Sequence, residues 1–433
     1  MITNIKLFNI LLFLLLISSM NQLFAQDLKL IKYKPAEGLK FTEKNGNYNM
    51  VLRGYLQSTL ETRKYEADEE FYNRFRARRL RLRIIGEAPK LKLSYRFQTD
   101  FAQSAEGDDE ISGALLDAFV SYHPNKDWKI TFGQRATPTD NRELMMGSHT
   151  LQLVERSRLT SAFASIREFG IFIDGKKKIG NQFYVKSMFT ITDGDGSNNL
   201  GENYGGLKYG GRVNFLPFGL MTAFGEFRQS DMIREFQPKL SVGIFYSYND
   251  GMSSRRGRAS GSILYLNDAN EESLPDYTKY GIDFLFKYKG FSALGEYLNA
   301  TATIPTDITK RVRNDGSVST TFTGGVDAYT RGRMMLGSGI NIQAGYLFKH
   351  NFSIDARYTH LSPDTNSFLN NTLFYNRNNH YEIGVSKYMD KHYGMKFQAS
   401  LTYVDAEAAS RKVNGDVFIG NEWVGRFLVQ VAF

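Results

Sequence analysis

Trp423-Val-Gly-Arg-Phe-Leu-Val-Gln-Val-Ala-Phe433 closes the chain, and its alternation decides between helix and sheet. Counting back from Phe433, every second residue is apolar or glycine: Val431, Val429, Phe427, Gly425 and Trp423. A period of two describes a strand with one apolar face. Two folds accept such a strand. It is the last strand of a soluble sandwich, or the last strand of a barrel whose apolar face meets lipid.

The other end of the chain separates these readings. Met1 to Asn9 carries one charge, Lys6, and Ile10 to Ile17 is an unbroken apolar run. Ser18, Ser19 and then Gln22-Leu-Phe-Ala25-Gln26 offer a cleavage point after Ala25. This order of segments is that of a secretory signal, expected over 1–25. Leu23 is large for its place before the cut. The apolar run is too short to span a bilayer as a helix. The chain has no Cys, which excludes both disulfides and a lipid anchor on a processed Cys. An exported chain that ends in an aromatic strand resembles the bacterial outer-membrane β-barrels.

Composition agrees with a barrel. Only 42% of residues are hydrophobic and 23% are charged, and no long apolar stretch follows the leader. A closed barrel still crosses a membrane, because closure pairs every backbone polar group. Its lipid-facing and lumen-facing residues alternate, which dilutes the apolar signal. The chain holds 25 Tyr and 33 Phe, enough to furnish interfacial girdles, and 39 Gly against 9 Pro suits strands joined by tight turns. The roughly 400 residues beyond the leader, at about 25 per strand and connection, make about sixteen strands and a barrel wide enough for a channel. Net charge is +9, and the leader contributes only Lys6. For an exported protein such a balance points to anionic solutes or lipopolysaccharide phosphates as partners, not to nucleic acid.

Residues 26–47 read as a polar, irregular periplasmic lead-in, and 48–433 as the barrel. Strands are expected at 48–63, 73–86, 91–102, 114–123, 127–135, 167–176, 182–192, 206–216, 239–249, 279–288, 291–300, 338–348, 352–361, 380–389, 394–404 and 421–433. Short turns such as Lys289-Gly290 alternate with long loops, as in outer-membrane barrels. Leu220 to Gln229 alternates well enough for a seventeenth strand. An even number keeps both termini on one side, so 219–237 is read as a long periplasmic turn.

The second strand, Phe75-Arg-Ala-Arg-Arg-Leu-Arg-Leu-Arg-Ile-Ile85, carries the chemistry. Arg79, Arg81 and Arg83 share one face, and Leu80, Leu82 and Ile84 the other. An Arg on the lipid face at the midplane costs about 2–4 kcal/mol, so the arginines are expected in the lumen. There they stand about 7 Å apart and offer planar donor forks to phosphate or carboxylate oxygens. Asp100 and Asp117 on neighbouring strands are the candidates to neutralise them. Arg74, Arg76 and Arg78 take the opposite phase, at headgroup level or a subunit interface, unless a bulge near Arg78–Arg79 turns some inward.

The connection 136–166 is too long and too apolar for a free surface loop. Folded into the lumen, it would bring Arg156, Arg158 and Arg167 to a constriction, offset by Glu143, Glu155 and Glu168. The competing reading packs it outward on other loops.

Phe132-Gly-Gln-Arg-Ala-Thr-Pro138, Val154-Glu-Arg-Ser157 and Arg167-Glu-Phe-Gly170 resemble the phosphate-selective porin O and P family, in its Bacteroidetes-type branch. Tyr209-Gly-Gly-Arg-Val213, Phe215-Leu-Pro-Phe-Gly219 and Tyr248-Asn-Asp-Gly251 continue the likeness in order. The resemblance implies a sixteen-stranded, trimeric anion porin in the Gram-negative outer membrane, among lipid and lipopolysaccharide. It also implies small anionic solutes such as phosphate, and places Arg79–Arg83 and Arg156 at basic or signature positions.

Other motifs carry less. Asp193-Gly-Asp-Gly-Ser197 spaces oxygens as a Ca²⁺ loop would, but Tyr204 stands where the bidentate Glu is needed, and an Asp/Gly turn explains the stretch. No metal or other cofactor is expected. Arg255, Arg256, Arg258, Lys310, Arg311 and Arg313 read as solvated loop faces that could funnel anions. No Ser/His/Asp set marks a barrel enzyme. Passive anion diffusion is the leading function, and a structural or assembly barrel without conductance is the alternative.

Overall fold

The computed structural model describes residues 28–34, 37–66, 69–102, 115–196, 204–257, 262–313, 315–371, 377–389, 392–406, 410–411, 417–418 and 420–433. The leader, its cleavage point, Arg258 and Ser197 to Asn199 lie outside these residues. The strands are β1 (Leu28–Lys34), β2 (Gly38–Glu43), β3 (Asn49–Tyr65), β4 (Phe71–Ala88), β5 (Leu93–Asp100), β6 (Leu115–Tyr122), β7 (Trp128–Ala136) and β8 (Arg167–Ile179). They continue as β9 (Phe183–Thr192), β10 (Lys208–Leu216), β11 (Lys239–Asn249), β12 (Leu264–Leu266), β13 (Asp276–Tyr288), β14 (Phe291–Thr303), β15 (Lys310–Val312) and β16 (Val318–Ser319). The last are β17 (Gly337–Leu347), β18 (Phe352–Pro363), β19 (Asn379–Tyr388), β20 (Met395–Asp405), β21 (Ser410–Arg411), β22 (Val417–Phe418) and β23 (Glu422–Ala432).

Among the described residues, sixteen strands close into an antiparallel barrel. These are β3 to β11, β13, β14, β17 to β20 and β23, each paired with its neighbours in chain order. The terminal strand makes the seam: β23 pairs with β3 from Glu422↔Tyr65 to Ala432↔Tyr55. Closure leaves no edge, which is what lets strands stand in hydrocarbon. No helix among the described residues is long and apolar enough to cross a membrane.

The barrel is inside out. Trp423, Phe427, Val431 and Phe433 are exposed on the outer face, while Val424, Leu428 and Gln430 of the same strand are buried. Around the wall, Phe132, Phe169, Ile171, Ile282 and Ile383 point outward. One register row of Tyr358, Tyr381, Tyr403 and Trp423 crosses four strands near the long-loop end. Neighbouring rings there lie 4.9, 6.3 and 4.8 Å apart. Such an aromatic row fits the membrane interface. The short-turn end uses tight hairpins. At Lys289-Gly290 both residues have positive φ, 49° and 96°, the two-residue turn that matches strand twist.

The lead-in differs from the irregular segment read from sequence. β1 and β2 form a hairpin, and β2 pairs with β3 from Leu39↔Leu52 to Thr42↔Asn49. β2 takes up the edge of β3 just below the point where Phe433 and Gly54 exchange backbone bonds of 2.9 and 3.0 Å. It thus covers backbone groups that the end of β23 would leave unpaired.

The stretch 219–237 adds no strand. It holds a short 3-10 segment, Thr222–Phe227, interrupted by left-handed Ala223 and Phe224. It belongs to the short-turn end but folds back into the lumen, where Met232 packs with Leu347, Tyr388 and Tyr393.

Candidate functional site

Two segments fill one side of the lumen. The first is the connection after β7, which folds inward. Its two short helices, Arg142–Met145 and Arg158–Phe163, are too short to hold themselves and rest on tertiary contacts. Arg142 donates to Asp283 on β13 at 2.7 Å and to Asn214 on β10 at 3.0 Å. Arg212 on β10 holds the same Asp283 carboxylate at 2.5 Å. Lys279 on β13 pairs with Asp140. Gln152 donates to Ser292 on β14 and Asp355 on β18 at 2.8 and 2.6 Å. Lys396 and Gln398 on β20 both donate to the Leu151 carbonyl, at 2.8 and 3.0 Å. Ser148 meets Tyr55 of β3 at 2.7 Å and Arg81 of β4 at 2.8 Å. The loop therefore lines the wall from β10 round to β4.

Glu143 is the hub of this loop. It accepts from the Ser157 backbone and hydroxyl at 2.8 and 2.7 Å, from the Thr160 hydroxyl at 2.6 Å, and from Arg357 of β18 at 3.3 Å. Desolvation pushes its carboxyl up, but Arg357, Arg156 and the hydroxyl donors outweigh that and hold it below the usual range. The second segment, 217–238, meets the loop from the other end: Gln229 donates to Glu143 at 3.1 Å and accepts from the Gln152 backbone at 2.8 Å. Lys287 anchors it by donating to the Gly225 and Ser230 carbonyls at 2.9 and 3.0 Å.

What remains open is the wall from β5 to β8 and the short-turn end of β3 and β4, and it is basic. Arg53 of β3 stands directly opposite Arg83 of β4. Among the described residues, Arg83 donates to neutral Gln98 at 2.5 Å, and neither arginine has a carboxylate at ion-pair distance. Like charges placed opposite each other repel. Arg228, from the second in-folded segment, lies over the Tyr393 ring at 5.6 Å and within reach of the charge on Arg53. On β5 to β8, four half-exposed cations share two carboxylates. Asp117 takes Arg167 at 2.9 Å and Arg96 at 3.8 Å; Asp174 takes Lys129 at 2.7 Å and Arg135 at 3.0 Å. His149, on the loop beside Tyr55 and the Arg53–Arg83 pair, stays neutral: desolvation first, then Arg83 and Arg53, lower it well below the ordinary imidazole value.

The sequence-predicted residues divide accordingly. Arg79 is 1% exposed and donates to Gln57 and Glu155, both at 3.0 Å. Arg81 pairs with Asp100 at 2.7 Å. Arg83 is the ladder member left beside the open wall. A bulge between Gln57 and Ser58 inserts one extra residue in β4, so Arg76 and Arg78 share the inner face with Arg79. Of the constriction set, Arg156 donates to the Glu143 and Met146 carbonyls within its own loop, and so shapes the loop. Arg158 is half-exposed beside Ser161, at 3.4 Å. Arg167 reaches the open wall through Asp117. Arg255 stacks on Phe368 at 4.0 Å and Arg311 on Tyr329 at 4.5 Å, so these loop cations pack as well as carry charge. Among the described residues no group of three or more His, Asp or Glu could hold a metal ion.

Sequence reasoning missed Arg53, Arg96, Lys129, Arg135 and Arg228. The first four lie in clean period-two phase, Ser94-Arg96-Gln98-Asp100 on β5 for instance. Arg228 sits on an irregular segment and carries no such signal.

The family model described as phosphate-selective porin O and P matches residues 52–430. No curated protein sequence matches the chain. Among solved structures, the anion-selective porin from Comamonas acidovorans is similar at 12% identity, with a TM-score of 0.50 over 89% of this chain and 100% of that one. OprB of Pseudomonas putida is similar at 10% identity and a TM-score of 0.51, covering 89% of this chain and 94% of that one. OmpT of Vibrio cholerae, in a trimer form, is similar at 8% identity and a TM-score of 0.50, covering 89% and 99%. At these identities the likeness concerns the fold alone.

Proposed function

The chain belongs to the phosphate-selective porin O and P family, and we propose that this outer-membrane porin passes small anions by passive diffusion along the wall from β3 to β8. The observation that carries the reading is the opposed pair Arg53 and Arg83, charged side chains with no carboxylate at ion-pair distance among the described residues, standing where the in-folded loop leaves the wall uncovered. A passing anion relieves their repulsion, and low-dielectric walls focus their field on it. Arg96, Lys129, Arg135 and Arg167 extend the track with a surplus of cations over Asp117 and Asp174. Phosphate is the solute the family description suggests, and forked guanidinium donors suit its oxygens. Export by the 1–25 leader and assembly as a homotrimer complete the reading. The trimer form of the similar Vibrio cholerae structure supports that assembly.

The test is the reversal potential of single channels in planar bilayers under a KCl gradient, with and without phosphate. Anion preference is expected, with phosphate reducing the chloride current. A cation-preferring or unselective channel would overturn the reading. A barrel that inserts and passes no current would favour the structural alternative.

A further inference from the structure

One residue of the second in-folded segment turns the other way. Met232 and Glu235 are buried, but Arg234 between them is left-handed, with φ 58°, an uncommon backbone for a residue with a side chain. Its guanidinium lies on the Lys289-Gly290 turn at the rim, where a Cβ on Gly290 would collide with it. It donates to the Leu347 carbonyl and to the Tyr346 hydroxyl, the latter at 3.3 Å, and stands 5.6 Å from the Tyr346 ring. Tyr346 is on the outer wall: it shares the phase of exposed Ile342, while Gln343 and Leu347 are buried. The acidic neighbours are turned inward and spent. Asp231 accepts from the Gly290 backbone at 2.7 Å, and Glu235 from the Thr222 backbone and hydroxyl at 2.6 and 3.0 Å. Among the described residues Arg234 has no carboxylate at ion-pair distance.

The outer wall around it mixes rings and cations. Tyr346, Phe348 and Phe352 follow one another at 4.9 and 6.2 Å. Lys289 is exposed over the Tyr288 ring at 5.0 Å, and exposed Lys387 pairs in register with Phe352. Phe236, two residues beyond Arg234, is 84% exposed. Rings in such a belt suit the membrane interface, and cations among them suit phosphate headgroups.

We propose that Arg234, aided by Lys289, binds the phosphate of an anionic phospholipid in the periplasmic leaflet, and that this lipid clamps the segment 217–238 in the lumen. The inference rests on the chain standing in the outer membrane with its short turns toward the periplasm, and it adds a ligand on the outer wall. The occupant is a lipid and not a free solute, because the guanidinium lies on an outward row of rings that acyl chains can cover. The clamp follows from chain continuity: Gln229, five residues before Arg234, donates to Glu143 of the in-folded loop at 3.1 Å.

The experiment offers the purified porin equal amounts of phosphatidylglycerol and phosphatidylcholine and counts the retained lipid by native mass spectrometry. Wild type should favour phosphatidylglycerol about fivefold. Arg234→Gln should lose that preference, and Arg234→Lys should keep most of it. Equal retention of the two lipids by wild type overturns the site. Equal loss in the Lys and Gln variants marks Arg234 as a strut on the Leu347 carbonyl and overturns it too. Displacement of the lipid by inorganic phosphate would reveal a solute site and overturn the choice of occupant. In planar bilayers, wild-type current should fluctuate less in phosphatidylglycerol than in phosphatidylcholine, and Arg234→Gln should remove the difference. Fluctuations that do not depend on the lipid overturn the clamp. A wild-type channel without anion preference would overturn the function reading, while the lipid count still decides this one.

Discussion

Where the loop lies against β10 to β18, the cations it buries are matched: Arg142 and Arg212 share Asp283, Lys279 takes Asp140, and Arg357 takes Glu143 and Glu382. Across the lumen, Arg53 and Arg83 face each other with no carboxylate at ion-pair distance among the described residues. Both walls are rich in basic side chains, yet one set holds the fold and the other is the set we propose to meet the solute. Burial makes the difference. A charge taken out of water must be paired, because leaving it alone costs several kcal/mol. A half-buried charge facing an aqueous lumen keeps part of its hydration and can stay without an ion pair at less expense. Counting lumen arginines therefore does not identify a selectivity filter; their partners do.

Breaking the matched wall should give the largest effect. Asp283→Ala strands Arg142 and Arg212, both almost wholly buried, and should destabilise the barrel by about 3–5 kcal/mol. Heat-modifiability on semi-native gels would show it as a lowered transition temperature. An unaltered transition would mean that water enters and solvates the two arginines, and the contrast between the walls would fall. Replacing Arg53, Arg83 and Arg96 together by Gln should do the opposite. It removes an opposed like-charge pair, worth about 0.2–1 kcal/mol, so stability should hold or rise slightly. The reversal potential should move toward cations. A triple variant that melts early yet keeps its selectivity would exchange the roles of the two walls.

Much of this was legible in the sequence, for a local reason. A strand's two faces are written at every second residue, so the alternation of Trp423 to Phe433 and of Arg79 to Ile84 carries its own orientation. The count of strands followed, as did the inward loop, since residues such as Leu151, Leu153 and Val154 need a surface. Pairing between neighbouring strands was legible, as Arg81 with Asp100 shows, but pairing across the lumen was not. Glu155 meets Arg78 across 77 positions and Gln152 meets Asp355 across 203, and nothing local marks either partner. The bulge opposite Gln57/Ser58 was legible only as an alternative near Arg78–Arg79, because one inserted residue leaves no compositional trace while it reverses the face of all that precedes it. Arg156 illustrates the consequence. Its charge suggested a constriction, and nothing local showed that it also donates to two carbonyls of its own loop.

The smallest expected effect concerns the mouth, where the two walls meet at the end of β9. Asp193 follows that strand, and burial, then Glu168 and Asp195, push its carboxyl up to about 7. Below that value the group is neutral; above it a negative charge appears at the entrance. Within a Debye length of about 8 Å at physiological ionic strength that charge lowers the local anion concentration. Anion preference should therefore be greater at pH 6 than at pH 8.5. His149 adds nothing in this window, since desolvation and the facing arginines keep it neutral throughout. Linkage gives the same group a second signature. The folded state holds a proton that an unfolded Asp, with its ordinary value of 3.8, releases. Its contribution to stability should thus decline from about pH 4 to 7 and level off above. Asp193→Asn should fix the anion preference at its acid value across the range and flatten that part of the stability profile. A wild-type preference that stays constant or rises between pH 6 and 8.5 would show that the mouth charge does not reach the path, and that selectivity is set by the open wall alone.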